Sequence, residues 1–223
     1  MTQPLSKVVV ALDVGEPERA FRLVDELGDE IQCYKIGPVL HTLSGVAAIQ
    51  FLHRKGKRIF LDLKLHDTPE VVADTVRQMG DLGVHFATVH CSGGRRMLEA
   101  AGRGCRGSQL RLVGVTVLTS LAQGETPRTT VREMVDLASE SRLAGVLCSG
   151  RDVRELRGTT LPGFILVAAG IRLPGEEVFQ DDQVHVTSPG EALAWGADLL
   201  VVGRPIIRAR EPRQALSRLF RTP

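Results

Sequence analysis

Aromatic side chains are scarce in this sequence: seven Phe, one Tyr and one Trp make up 4% of 223 residues. The core must therefore be aliphatic, and the prominence of Val, Leu, Ala and Gly suits strands packed against helices. Charge of one sign is also lacking. There are 28 Lys and Arg against 26 Asp and Glu, a net charge of +2, and no long basic run, so nothing points to nucleic acid. Cysteine is limited to Cys33, Cys91, Cys105 and Cys148, with no Cys-x-x-Cys spacing. Three of these, Cys33, Cys91 and Cys148, sit in or just after strand-like runs. That pattern suits small buried residues in a reducing compartment, not a disulfide framework or a metal site. No apolar signal segment precedes the first strand-like run, and no run approaches membrane-spanning length. A cytoplasmic enzyme or binding protein is the expectation.

What is present is a regular alternation. Strand-like runs at Val8–Asp13, Ile31–Ile36, Ile59–Lys64, Val84–His90, Leu110–Leu118, Ala144–Cys148, Phe164–Ala168 and Leu199–Val202 are each followed by a helical pattern. The helical stretches include Pro17–Leu27, Val39–Arg54, Glu70–Gly80, Thr130–Ser139 and a closing Pro205–Phe220. Near-continuous Val/Ile/Leu strands are the mark of parallel strands covered on both faces. Repeated strand–helix units of this number predict an α/β fold, a (β/α)8 TIM barrel, as a single domain over residues 1–223. A doubly wound nucleotide-binding sheet would carry a glycine-rich turn after the first strand. The sequence there, Ala11-Leu-Asp-Val-Gly-Glu-Pro, does not fit.

The chemistry concentrates at strand ends. In residues 58–72, Ile59, Leu61, Leu63 and Leu65 share one face of a strand, while Phe60, Asp62 and Lys64 share the other. Asp67 follows, and Pro69 opens the next helix. A carboxylate and an ammonium on one inner face need each other, and such pairs gather at functional sites. In a barrel the site lies at the C-terminal ends of the strands. Those ends carry Asp13, Lys35, Asp62, Lys64 and Asp67, then His90, Thr119 and Ser120, Gly170-Ile-Arg172 and Gly203-Arg204.

The last two groups read as an anion grip. Gly203 permits close backbone approach, and the following helix start offers N–H groups. Arg172 and Arg204 supply charge-assisted bonds. Gln183, in the long loop over residues 173–188, is placed to close over the same group. Lys35, Asp62, Lys64 and Asp67 would alternate in charge if they converge, keeping both lysines protonated and both aspartates ionised. A protonated lysine is a proton donor or an electrostatic clamp, not a Schiff-base nucleophile. His66 and His90 offer no metal-ligand arrangement; His90 is expected to stand alone and His66 to face away from Lys64. No cofactor handle is visible. The residues thus predict cofactor-free chemistry on a phosphorylated substrate, with a lysine delivering a proton to a developing carbanion.

These motifs, in this order, resemble the orotidine 5'-phosphate decarboxylase family in its bacterial form. The matching stretches are Ala11-Leu-Asp13, Tyr34-Lys-Ile-Gly37, Leu61-Asp-Leu-Lys-Leu-His-Asp67 with Pro69, Val89-His90 with Gly93-Gly94, Gly114-Val-Thr-Val-Leu-Thr-Ser120, Gly170-Ile-Arg172, Asp182-Gln183, Gly196-Ala-Asp198 and Val201-Val-Gly-Arg-Pro205. The resemblance implies a homodimeric barrel converting orotidine 5'-phosphate to UMP and carbon dioxide without cofactor or metal. It implies that Asp13 and Lys35 contact the ribose, that Asp62 crowds the orotate carboxylate and that Lys64 protonates C6. It further implies that Asp67 reaches the neighbouring subunit's site and that Thr119 lies near the pyrimidine. Arg172, Gln183, Gly203 and Arg204 would hold the phosphate.

The sequence departs from the family pattern at several positions. Glu70-Val71 replaces Asn-Thr, Thr88 replaces Asn, Ala168-Ala169 replaces Thr-Pro, and His185 replaces Arg. Val71 cannot donate the hydrogen bond that the threonine gives across the subunits. The charged core is intact. The sister group, 3-keto-L-gulonate 6-phosphate decarboxylase and hexulose-phosphate synthase, shares Asp-x-Lys-x-x-Asp but uses Mg2+ and a glutamate on strand two, where Lys35 stands here. A non-catalytic phosphate-ligand barrel is the other alternative; a missing charged partner would favour it, and none is missing.

Overall fold

The computed structural model describes residues 5–117, 128–173 and 186–220. Its eight strands form one closed parallel barrel in chain order. The sequence runs β1 (Val8–Ala11), α1 (Pro17–Leu27), β2 (Cys33–Ile36), α2 (Pro38–Ser44), α3 (Val46–Arg54), β3 (Arg58–Leu65), α4 (Pro69–Asp81), β4 (Phe86–His90), α5 (Gly94–Gly104) and β5 (Arg111–Val115). It continues with α6 (Arg128–Glu140), β6 (Gly145–Ser149), α7 (Gly150–Leu156), β7 (Ile165–Ala169), α8 (Pro189–Ala194), β8 (Leu199–Val202), α9 (Arg204–Ile207) and α10 (Pro212–Phe220). β8 closes on β1, with Val9 opposite Val201.

Proline starts several of the helices. Pro17, Pro38, Pro69 and Pro189 stand in the first turn, where a missing N–H leaves nothing unpaired. α7 and α8 open with serine capping boxes at Ser149 and Ser188. The stretch 39–54, expected as one helix, is two. Gly45 takes φ 49, a left-handed conformation that ends α2 and starts α3. The closing stretch 205–220 is likewise divided into α9 and α10.

Two apolar layers follow from strand alternation. Inside the barrel, Val9, Cys33, Phe60, Phe86, Val113 and Val167 fill the lumen, with the Phe60 and Phe86 rings 5.5 Å apart. Outside it, the other face of every strand packs against the helices, with Tyr34, Ile59, Leu61 and Leu166 fully or almost fully buried. The low aromatic content is therefore no handicap, because aliphatic side chains fill both layers. All four cysteines are free; Cys33, Cys91 and Cys148 are buried and Cys105 is half-buried. Among the described residues, no helix is long and apolar enough to cross a membrane.

Candidate active site

The site begins with an irregularity in β3. Its ladder with β4 pairs Phe60 with Phe86 and Leu61 with Ala87, then shifts so that Leu65 meets Val89. The intervening residues 62–64 form a bulge, a device that re-aims side chains next to functional sites. Phe60 points into the lumen, and Asp62 and Lys64 line the cavity above it. Leu61, Leu63 and Leu65 pack outward, as alternation predicts. Lys64 has φ 49, one of two non-glycine residues with positive φ among the described residues. Such a conformation costs on the order of 1–3 kcal/mol and persists only where its surroundings hold it. The Lys64 N–H donates to Thr88 Oγ1 at 2.8 Å.

From this bulge runs a row of alternating charges. Lys64 Nζ donates to Asp62 Oδ2 at 2.9 Å, and Lys35 Nζ lies 3.2 Å from the same oxygen. Lys35 Nζ also reaches Asp13 Oδ1 and Oδ2 at 3.0 and 3.1 Å. The order in space is Asp13, Lys35, Asp62, Lys64. Asp62 and Lys35 are buried, at 3% and 6% exposure, whereas Asp13 and Lys64 open toward the cavity. Burial alone would raise the Asp62 pKa, but the charges of Lys35 and Lys64 and hydrogen bonds from Lys64 and Thr88 outweigh it, so the carboxylate is held below its ordinary value. Burial alone would lower the Lys35 pKa, but Asp62 and Asp13 outweigh it, so the ammonium is held above its ordinary value. Both groups stay charged at neutral pH. Gly37 makes the row possible, since a Cβ there would lie 2.3 Å from Asp13 Oδ1 and 3.1 Å from Lys35 Nζ.

One cavity of about 610 Å3 contains this row and the expected anion grip. Asp13, Lys35, Asp62 and Lys64 line it together with Arg172, Gly203 and Arg204, over an apolar floor that includes Val115, Leu147 and Val201. Arg172 follows β7, and its loop is tied at the base: Arg172 N–H donates to Thr187 O at 3.0 Å and Thr187 N–H to Gly170 O at 3.1 Å. The helix after β8 is shorter than the sequence suggests. α9 is a single turn, and its Ile206 and Ile207 N–H groups bond back to Gly203 O. The positive charge at this end of the cavity comes from Arg172, Arg204 and Arg208. Ala169, at the Ala168-Ala169 departure, and the neighbouring Gly170 form part of the wall.

Asp67 does not join the row within one chain. It is exposed, and its Oδ1 accepts the Thr68 N–H at 2.6 Å. Thr119 and Gln183, together with His185, lie outside the described residues. His90, expected to stand alone, does not: its ring tilts against His66 with centroids 5.8 Å apart. Burial, His66 and Lys64 together lower its pKa, against a smaller opposing effect of Asp62. Among the described residues, no group of three or more His, Cys, Asp or Glu could hold a metal ion. Two residues of the site were not singled out from the sequence as site members. Arg208 lines the cavity four residues after Arg204, a spacing that puts both on one helical face. Thr88 donates to Asp62 Oδ1 at 2.9 Å, and its place two residues before His90 on an inward-facing strand position was the available signal.

Known proteins share this architecture along nearly the whole chain. The model of the orotidine 5'-phosphate decarboxylase / HUMPS family matches residues 6–219. An orotidine 5'-phosphate decarboxylase of Coxiella burnetii is 39% identical, over 97% of this chain and 96% of its own. One from Dichelobacter nodosus is also 39% identical, over 97% and 98%. The crystal structure of orotidine 5'-phosphate decarboxylase from Lactobacillus acidophilus superposes with a TM-score of 0.81 at 32% identity, covering 96% of this chain and 97% of that one. Barrel, charged row and sequence likeness agree: this chain belongs to the orotidine 5'-phosphate decarboxylase / HUMPS family.

Proposed function

We propose that the protein decarboxylates orotidine 5'-phosphate to UMP, the last step of de novo pyrimidine nucleotide synthesis, without metal or cofactor. The observation that carries this reading is the Asp13–Lys35–Asp62–Lys64 row on the wall of a cavity that also holds Arg172 and Arg204. The arginines and Gly203 bind the substrate phosphate, with Gln183 closing over it. Asp13 and Lys35 bind the ribose hydroxyls, and Thr119 lies by the pyrimidine. Asp62 stands against the orotate carboxylate. Repulsion between the two carboxylates is relieved as carbon dioxide departs, so it lowers the barrier rather than the ground state. The C6–carboxylate bond breaks, its electron pair remains on C6, and Lys64 Nζ gives up a proton to that carbon. Lys64 Nζ, 2.9 Å from Asp62 Oδ2, stabilises the developing negative charge before transferring the proton.

The family joins this chemistry with that of Mg2+-dependent sugar-phosphate enzymes. Lys35 distinguishes the two here, because its ammonium sits between Asp13 and Asp62 and would repel a divalent cation. The protein works as a cytoplasmic homodimer of single-domain barrels in which Asp67 enters the partner's site. Support for a second copy comes from the exposed apolar residues Val39, Leu43 and Val46 on the second strand–helix unit and Val71 beside Asp67 on the third.

The test is a substrate assay after exhaustive EDTA treatment, with orotidine 5'-phosphate beside 3-keto-L-gulonate 6-phosphate and hexulose 6-phosphate. Turnover of the nucleotide that is insensitive to EDTA is expected. Activity restored only by Mg2+, or confined to the sugar phosphates, overturns the reading.

A further inference from the structure

The bulge that presents Lys64 has an unusual partner. Arg58 N–H donates to Gln32 O on the β2 side, and alternate residues of a parallel strand bond to the same neighbour, so in a regular ladder the Lys64 N–H would face β2. Here the ladder is shifted, and the N–H donates instead to the Thr88 hydroxyl. Thr88 is completely buried, on the inner face of β4 between Phe86 below and His90 above. Its hydroxyl has one proton to give. Since it accepts from the Lys64 N–H, that proton is directed to Asp62 Oδ1 at 2.9 Å. The opposite oxygen, Asp62 Oδ2, receives both lysines. One hydroxyl thus ties together the left-handed backbone of Lys64 and the orientation of the carboxylate that Lys64 contacts.

We infer that Thr88 is a positioning residue that sets Asp62 and Lys64 in register with each other by bonding to both. Thr88 does not itself touch the reacting atoms. Its hydroxyl fixes the plane of the Asp62 carboxylate and holds the bulge at the φ that sends the Lys64 side chain into the cavity. The side chain that does this must be short, buried and able to accept from an N–H while donating to a carboxylate, and serine or threonine meets those conditions. Without the hydroxyl, the Lys64 N–H loses its acceptor and Asp62 Oδ1 its donor, in a place closed to solvent. The Lys64 ammonium would then be placed by Asp62 Oδ2 alone, so transfer to carbon suffers while binding at the distant arginines does not.

The inference rests on the decarboxylase reading for its kinetic part only. Two measurements separate them. The first is amide hydrogen exchange of the segment containing Lys64, in the wild type and in Thr88→Val, which keeps the shape and removes the hydroxyl. Exchange of the Lys64 amide should accelerate at least tenfold in Thr88→Val and return toward the wild-type rate in Thr88→Ser. The second is steady-state kinetics with orotidine 5'-phosphate. Thr88→Val should lose at least tenfold in kcat with KM within threefold, and Thr88→Ser should recover most of that loss. If Thr88→Val does not fold, Thr88→Ala is compared with Thr88→Ser in the same two measurements. Unchanged Lys64 exchange in the hydroxyl-free variant overturns the inference, whether or not the protein turns over the nucleotide. So does a loss expressed in KM alone, or a serine variant no better than valine. An inactive wild type with the expected exchange pattern instead overturns the decarboxylase reading and leaves the clamp standing.

Discussion

Lys64 is the proton donor of the proposed reaction, and its replacement is the most direct probe. Lys64→Ala should lower kcat by roughly 100- to 10,000-fold, the range for a positioned general acid, while thermal unfolding stays close to wild type. A near-normal kcat would assign the proton to another donor. Asp62 makes a different prediction, in pH. Its folded pKa lies below the ordinary carboxylate value of 3.8 because the opposing lysines outweigh its burial. A depressed acid contributes stability that is fully present above the unfolded pKa and is lost as pH falls through the folded one. Asp62→Asn should therefore be less stable than wild type at pH 7, by roughly 3 kcal/mol for a broken buried pair. The gap should hold down to about pH 4 and close only below 3.8, in urea unfolding followed at successive pH values. Asp62 and Lys64 were legible in the sequence because alternation on a strand puts them on one face. Thr88 was noted only as a departure from pattern. Its role depends on a shifted ladder, and no spacing along the chain encodes a hydrogen bond between neighbouring strands across such a shift.

At the scale of elements, α7 offers a clean measurement. Ser149 ends β6 and caps α7; its hydroxyl accepts the Asp152 N–H at 3.2 Å while Asp152 Oδ2 accepts the Ser149 N–H at 3.0 Å. Ser149→Ala should cost about 1 kcal/mol, the usual worth of an N-cap, read as a lower urea midpoint with unchanged slope. An unchanged midpoint would mean that packing alone starts the helix. Strands were easier to find than their helices' interruptions. β8 and α1 run over the same residues in sequence and structure because turn residues flank both. The break at Gly45 was missed because Val39–Arg54 keeps a helical apolar pattern on both sides of it, and periodicity does not reveal a single residue with left-handed φ. The single-turn α9 was hidden in the same way, by continuous helix-compatible residues from 205 onward.

For the whole molecule, the closed order of strands was readable because each parallel step needs a covering helix, and the chain supplies one each time. The position of Asp67 belongs to this scale as well. It lies two residues after β3, the strand that carries Asp62 and Lys64, yet it is exposed, as is Val71 four residues further on. If it completes a partner's site, then Lys64→Ala and Asp67→Ala chains, each inactive alone, should regain activity when refolded together. Random pairing places one intact site in each mixed dimer, so recovery should approach a quarter of the wild-type rate per chain. No recovery, with mixed dimers demonstrated by mass, would confine each site to a single chain.

The three thiols buried in this barrel, Cys33, Cys91 and Cys148, turn the protein into its own clock. Burial pushes Cys33 and Cys105 up to about 11 and Cys91 up to about 12, and raises Cys148 well above its ordinary value, so almost no thiolate exists at pH 7. Cys33 stands in the lumen under the site, and Cys91 and Cys148 stand at the tops of β4 and β6. A thiol reagent can therefore label them only as fast as the barrel opens. The order in which the cysteines are labelled would record which sector of the ring yields first, with no residue added to the chain to report it.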